Sequence, residues 1–381
     1  MLTELTNPRW TELGATNGKR IVAQRLNDGY IYGRMAAYDI LYRSADGGQT
    51  WASYGTSLAT SVVLLLPAGD GEVIIVGSIK VYKTSGWGTG SITKAEVLAI
   101  PTGYVESWGA DANGTGKIVV THYGIPYTLS QYTWLSTDFG ATWSVIHDLA
   151  SIGRNDQHMH FACFDPYQAG RIYINSHDQG AGSGKFIRYT DNDGGAWADF
   201  PNTRIFQEDG TFRNCQPTTC VAIPEGLVLG SDDPEVCQYI IRRGDNHMRK
   251  YADGAIQTGP RGTRGFAVYS QRDPYTGIVY TCWKQETLNG RSFIMAADGT
   301  DCRVVYADPG QYPVSGQGGI SQLPGFYYMT FTAREIVAVA VKPSAADGTS
   351  NAYWEFRAEK AQYANRRLAE GEFLVVGYGH P

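Results

Sequence analysis

Ser136-Thr137-Asp138-Phe139-Gly140-Ala141-Thr142-Trp143 is a segment that the chain uses more than once. Ser44-Ala45-Asp46-Gly47-Gly48-Gln49-Thr50-Trp51 repeats its S-x-D-x-G-x-T-W order. Thr190-Asp191-Asn192-Asp193-Gly194-Gly195-Ala196-Trp197 is a decayed copy, and Thr84-Ser85-Gly86-Trp87-Gly88 keeps only the small and glycine positions. The pattern describes a tight corner. An aspartate can accept hydrogen bonds from the backbone N–H groups of its own turn. The glycine permits a φ that a Cβ would forbid, and the tryptophan buries a large aromatic surface between neighbouring units. Ser44, Asp46, Gly48, Trp51, Ser136, Asp138, Gly140, Trp143 and Trp197 are therefore read as builders of the fold.

Working outward, each corner falls in the second half of a larger repeat: an apolar strand, a Gly-containing turn and a second apolar strand. Copies occupy 21–35, 62–78, 107–123, 161–177, 218–233, 266–283 and 320–331. Two copies share the turn Asp-Pro-Tyr, at 165–167 and 273–275. The spacing of roughly 40 to 57 residues suits four-stranded antiparallel blades, so the chain is expected to be an all-β β-propeller, seven blades being favoured over six. The propeller is assigned to 1–357. The remainder, 358–381, reads as a helix over 358–371 followed by a strand over 372–379, and that strand or Arg9–Leu13 is expected to close the ring. Segments 336–342 and 352–356 supply the third and fourth strands of the last blade.

Composition agrees. Charged residues are 18% and aromatics 12%, with 46 Gly and 25 Tyr, which favours many short strands and tight turns over helices. The net charge of −5 provides no field to gather phosphates, so nucleic acid is not an expected partner. No apolar run approaches about 20 residues, so membrane insertion is not expected, and the acid-bearing start MLTELTNPRW is no secretory signal. The six cysteines (163, 215, 220, 237, 282 and 302) match no zinc spacing and read as reduced, buried thiols; a Cys215–Cys220 bridge is the open alternative, without support in the sequence.

The most chemical segment is Arg154-Asn155-Asp156-Gln157-His158-Met159-His160, leading into the first strand of the fourth blade. His158 and His160 lie two apart on a strand and so share a side, about 7 Å apart along the backbone, where they could hold a divalent cation or flank a sugar. Asp178 ends the paired strand. Asp232 and Asp233 end the corresponding strand one blade on, and His122 and Tyr123 one blade before. With Trp283, these residues make up the candidate ligand-binding crater. The competing reading is that H-x-H lines the channel and is held by hydrogen bonds to adjacent blades. No catalytic residue is assigned.

The S-x-D-x-G-x-T-W corners resemble the Asp boxes of BNR-repeat, sialidase-like propellers. The run His158–Asp165-Pro166, continuing to Gly170-Arg171-Ile172-Tyr173, is similar to a segment of propeller-type minor tail proteins of phages infecting actinobacteria, best over 155–235. Those resemblances imply a corner turn away from the ligand face and a tail-associated virion protein made in the host cytoplasm. Its partners would be cell-surface glycans or other tail proteins. A sialidase would need an arginine in an F/Y-R-I-P context near the N-terminus; Arg9, Arg20 and Arg34 lack it. The expectation is thus a non-catalytic carbohydrate-binding or structural tail-tip module, with glycoside hydrolase as the alternative.

Overall fold

The computed structural model describes residues 2, 4–12, 24–26, 28–34, 40–46, 50–55, 57–60, 62–89, 92–124, 131–153, 157–178, 186–200, 204–206, 212–214, 216–231, 238–245, 248–250, 265–285, 292–307, 325–343 and 351–360. It is a seven-bladed β-propeller of four-stranded antiparallel blades. Blade 1 comprises Gln24–Arg25, Ile31–Arg34, Leu41–Ser44 and Ala52–Ser53; blade 2, Val62–Pro67, Val73–Gly77, Lys80–Ser85 and Thr93–Ala99. Blade 3 comprises Ala110–Ala112, Ile118–Thr121, Tyr132–Ser136 and Ser144–Asp148; blade 4, Gln157–Phe164, Ile172–Asp178, Phe186–Thr190 and Ala198–Asp199. Blade 5 is Pro217–Ile223, Gly226–Ser231, Gln238–Arg242 and Met248–Lys250, extended by a hairpin, Arg204–Phe206 with Phe212–Asn214, whose first strand runs parallel to Met248–Lys250. Blade 6 is Gly265–Arg272, Val279–Gln285, Phe293–Ala297 and Cys302–Ala307.

Blade 7 departs from the sequence reading. Its inner strand is Gly325–Phe331, so 320–331 is not a hairpin. Glu335–Pro343 and Asn351–Glu359 follow, and the fourth, outermost strand is the N-terminal Thr6–Glu12, paired with Asn351–Glu359. Of the two candidates for ring closure, the N-terminal one fills the role. Residues 358–359 belong to a strand, and the rest of the expected helix and strand, 361–381, lies outside the described residues.

Strand alternation accounts for the core. In Val73–Gly77, Val73 and Ile75 join a cluster shared with blade 1, and Ile74 and Val76 join one shared with blade 3. Further clusters fill the spaces between blades 3 and 4, 4 and 5, 5 and 6, and 6 and 7. Five inner strands carry one extra residue near their start, at Val62/Leu64, Met159/Ala162, Pro217/Thr219, Ala267/Tyr269 and Phe326/Tyr328. A bulge repeated at one level re-aims the side chains beyond it and sharpens the twist of each blade.

The corners join third to fourth strands. Asp138 accepts from the Thr142 amide at 2.8 Å and the Thr142 hydroxyl at 2.6 Å, and Ser136 Oγ donates to it at 2.8 Å. Gly140 has φ +77, and a Cβ there would sit 2.4 Å from Ile74 of blade 2. Asp46 makes the same three bonds with Thr50 and Ser44. Asn192 accepts from Thr190 Oγ1 and the Ala196 amide, lacking only the hydroxyl that alanine cannot give. In blade 2 the carboxylate comes from elsewhere: Glu72, in the preceding hairpin, accepts from the Gly86 and Trp87 amides. Trp87, Trp143 and Trp197 pack half-buried against the clusters that join their blade to the one before. Gly48 lies outside the described residues.

The Thr142 bonds hold the Asp138 carboxyl at about 2, below its ordinary 3.8. Its contribution is complete above about pH 4 and is lost as pH falls toward 2. Because Asn192 performs the same acceptor role without charge, Asp138→Asn is expected to fold and to lose that acid sensitivity. Asp138→Ala is expected to cost about 1 kcal/mol at neutral pH. Thermal denaturation of both variants at pH 7 and pH 3 checks this; equal losses for the two at pH 7 would refute it.

The two Asp-Pro-Tyr turns join first to second strands on the same face as the corners. Each aspartate caps its own turn, accepting from the Tyr167 or Tyr275 amide, and each takes a cation from the next blade. Asp165 receives Arg243 through two 2.8 Å bonds, and Asp273 receives Lys360 at 2.7 Å. The cations also lie over the tyrosine rings, Arg243 over Tyr167 at 5.2 Å and Lys360 over Tyr275 at 5.1 Å.

Candidate functional site

The opposite face carries the second-to-third strand connections and the links between blades. Here the two histidines of H-x-H come together, but as buried groups. Their Nε2 atoms are 2.8 Å apart, and His160 Nδ1 lies 3.0 Å from the carbonyl oxygen of Pro217 in blade 5. A carbonyl can only accept, so His160 carries its proton on Nδ1 and its Nε2 accepts from His158 Nε2–H. The pair thus forms a relay of hydrogen bonds from blade 4 to blade 5. Asn175 Nδ2 donates to the same carbonyl.

Tyr123 covers this relay. Its ring lies 4.1 Å from that of His158 and stacks on that of His160 at 5.9 Å, with an interplanar angle of 8°. Tyr104, which the sequence reading did not single out, is joined to Tyr123 by two backbone hydrogen bonds, and the two rings are 5.3 Å apart. Both tyrosines are half-exposed. Only the fold brings them together, through an isolated bridge between segments that no sequence pattern connects. Gln131 completes the footing: buried, it accepts from the Gly124 amide and from Met159 N of the next blade.

His122 and Trp283 do not join this cluster. His122 points away from Tyr123, fully buried against Trp134 at 5.2 Å, with its Nδ1 accepting from Tyr132 N. Trp283 is fully buried between blades 5 and 6, stacked on Phe293. Burial places both in blade packing, where they present no surface to a ligand. The backbone of Asp178 pairs with Gln157, beside His158; its side chain, together with Asp232 and Asp233, lies outside the described residues. Among the described residues no group of three metal-ligating side chains converges.

Side chains cross the axis of the ring. The turn Glu106–Gly109, which precedes the inner strand of blade 3, sends Ser107 Oγ to Val268 O of blade 6 at 3.2 Å. Trp108 packs against both the blade 4–5 and the blade 6–7 clusters, a position reachable from blade 3 only across the channel. Tyr269 of blade 6 reaches back to the cluster of blades 2 and 3. Below these side chains, Asp111 accepts from its neighbour Ala112 N and from Phe164 N of blade 4. Burial raises its carboxyl to about 6 against those bonds.

A concavity of about 420 Å³ opens at the outer rim between blades 3 and 4, where the fourth strand of blade 4 is only two residues long. Val145, His147, Ile152, Arg188 and Trp197 line it. Arg188 donates to His147 Nε2 at 2.8 Å, and the His147 ring meets Trp197 edge-on. Burial, then the Arg188 charge, lowers His147 to about 3, so the imidazole is neutral at physiological pH.

No protein-family model matches the chain, and no curated protein matches it. Solved structures do resemble it. Oligogalacturonate lyase in complex with manganese is 12% identical with a TM-score of 0.57, covering 95% of this chain and 99% of that one. YCF48 from Cyanidioschyzon merolae is 11% identical with a TM-score of 0.53, covering 91% and 98%. Streptogramin B lyase is 10% identical with a TM-score of 0.52, covering 92% and 98%. Enzymes and non-enzymes share this architecture, and at such identity the likeness establishes one thing, that the chain is a seven-bladed β-propeller.

Proposed function

We propose that this propeller is a non-catalytic binding module that recognises carbohydrate on a cell surface. The single observation that carries the reading is the Tyr104–Tyr123 pair on the face opposite the corners. Two half-exposed rings, fixed by a backbone bridge and backed by an imidazole relay, form a preorganised aromatic platform. Sugars offer apolar C–H faces that pack on such rings while tyrosine hydroxyls take part in hydrogen bonds. The Asp-box-like corners and the H-x-H…Asp-Pro segment, which resembles phage minor tail proteins, supply the setting: a virion tail whose partners are a surface glycan and neighbouring tail proteins.

Glycan arrays probed with the wild-type chain and with Tyr104→Ala and Tyr123→Ala variants test this. Binding to at least one glycan class, weakened 10-fold or more by each variant with the thermal midpoint little changed for Tyr104→Ala, is expected. Unchanged binding in both variants would remove the platform from the function. Glycan cleavage by the wild-type chain would replace a binding module with a hydrolase.

A further inference from the structure

We infer that Cys163 and Cys220 form an oxidation site, two thiols poised to become a disulfide that joins blade 4 to blade 5. They occupy the inner strands of adjacent blades, Gln157–Phe164 and Pro217–Ile223. Alignment of those strands is fixed independently of the sulfurs, because His160 Nδ1 and Asn175 Nδ2 both donate to Pro217 O. Three residues on from His160 is Cys163, and three on from Pro217 is Cys220. Both side chains enter the same inter-blade cluster, near enough that each thiol influences the other, and the Cys163 thiol donates to Phe164 O at 3.3 Å. Each is a free thiol; Cys163 is buried and Cys220 half-exposed. Two thiols that share one cluster across a fixed strand pair can be brought by side-chain rotation to bonding distance, roughly 2.05 Å.

The asymmetry of exposure assigns the order of events. A small peroxide reaches Cys220 first. The Cys220 sulfur attacks one peroxide oxygen, the O–O bond breaks, and the products are Cys220 sulfenic acid and water, the thiol proton leaving with the departing oxygen. The Cys163 sulfur then attacks the Cys220 sulfur, displacing the hydroxyl, which leaves as a second water with the Cys163 proton. Two thiols are oxidised by two electrons in all, and one peroxide is reduced to two waters. The neighbouring Cys220, and then burial, raise the Cys163 thiol, which suits a resolving partner that reacts only once its neighbour is sulfenic. Cys282, buried in a cluster with no second thiol among its described members, and Cys302, bonded to Gln238 Oε1, are not placed for this chemistry.

Titrating the purified, reduced chain with hydrogen peroxide and mapping it by mass spectrometry under non-reducing conditions tests the inference. The expected result is a peptide pair joined through Cys163 and Cys220, a loss of 2 Da from the intact mass, reversal by dithiothreitol, and a thermal midpoint a few degrees higher in the cross-linked form. In Cys163→Ala, Cys220 is expected to stop at sulfenic acid, trapped by dimedone. A cross-link from Cys220 to Cys215 or Cys237, or a Cys163 that remains fully alkylatable after denaturation of the oxidised chain, would overturn it.

Discussion

An Asp273→Ala chain is expected to lose about 3–5 kcal/mol of stability, more than any of the corner variants. Asp273 is fully buried, and the Lys360 side chain, 2% exposed, meets it at 2.7 Å. Burial lowers the lysine, and the Asp273 bond and charge oppose that shift. Without the carboxylate, Lys360 must either keep a buried charge with no counter-ion at that contact or give up its proton. Asp273 also accepts from the Tyr275 amide and the Thr276 hydroxyl, so its own turn loosens too. The matched Asp165→Ala variant is expected to cost less, because Arg243 is 27% exposed and can turn to water. Urea denaturation of both variants measures the difference. A double variant, Asp273→Asn with Lys360→Met, should recover much of the loss, since buried pairs replaced by uncharged groups are often neutral. A loss below about 1 kcal/mol in Asp273→Ala would mean that water reaches the pair.

Removing residues 1–12 is expected to abolish the monomeric fold altogether. Thr6–Glu12 is the outermost strand of blade 7, paired along Asn351–Glu359. Leu2 and Leu5 are buried in the cluster of blades 6 and 7, and the Leu5 amide donates to Val305 O of blade 6. Trp10 lies 4.8 Å from Phe356 and sends its indole N–H to Tyr306. The truncated chain would expose the edge of Asn351–Glu359 together with those apolar side chains, a surface that invites aggregation. Size-exclusion chromatography and circular dichroism of the truncated chain, alone and with a synthetic peptide of residues 1–14, give the test. Recovery of a compact monomer on adding the peptide is the expected outcome. A truncated chain that is already monomeric and cooperative would show that the other three strands hold blade 7 closed.

The ring was legible because its signals are local. Strand-turn-strand units and S-x-D-x-G-x-T-W corners depend on residues within about twenty positions of one another, and the corner bonds of Asp46 and Asp138 follow the chemistry read from the sequence. Blade 7 was misread at 320–331, where the single strand Gly325–Phe331 replaces the expected hairpin, and its closing strand was left between two candidates because Thr6–Glu12 finds its partner at the far end of the described chain. The site was legible only in part, for the same reason. His158 and His160 meet as their spacing implies, but their burial depends on Pro217 and Tyr123, which come from other blades. Tyr104 and Trp108 owe their positions to a link between blades, a kind of segment for which sequence periodicity has no rule. Trp283 looked like a strand-end aromatic near a rim, and instead the blade 5–6 interface covers it.

Trp108 and Ser107 have a consequence for any polymer that this molecule meets. With a spoke from blade 3 anchored on blade 6, the propeller is a dish barred by side chains at its centre, an arrangement that resists threading by a strand. A long-chain partner must lie across the dish and leave on the side by which it came. Attachment then requires no free chain end, and a partner can be engaged anywhere along its length.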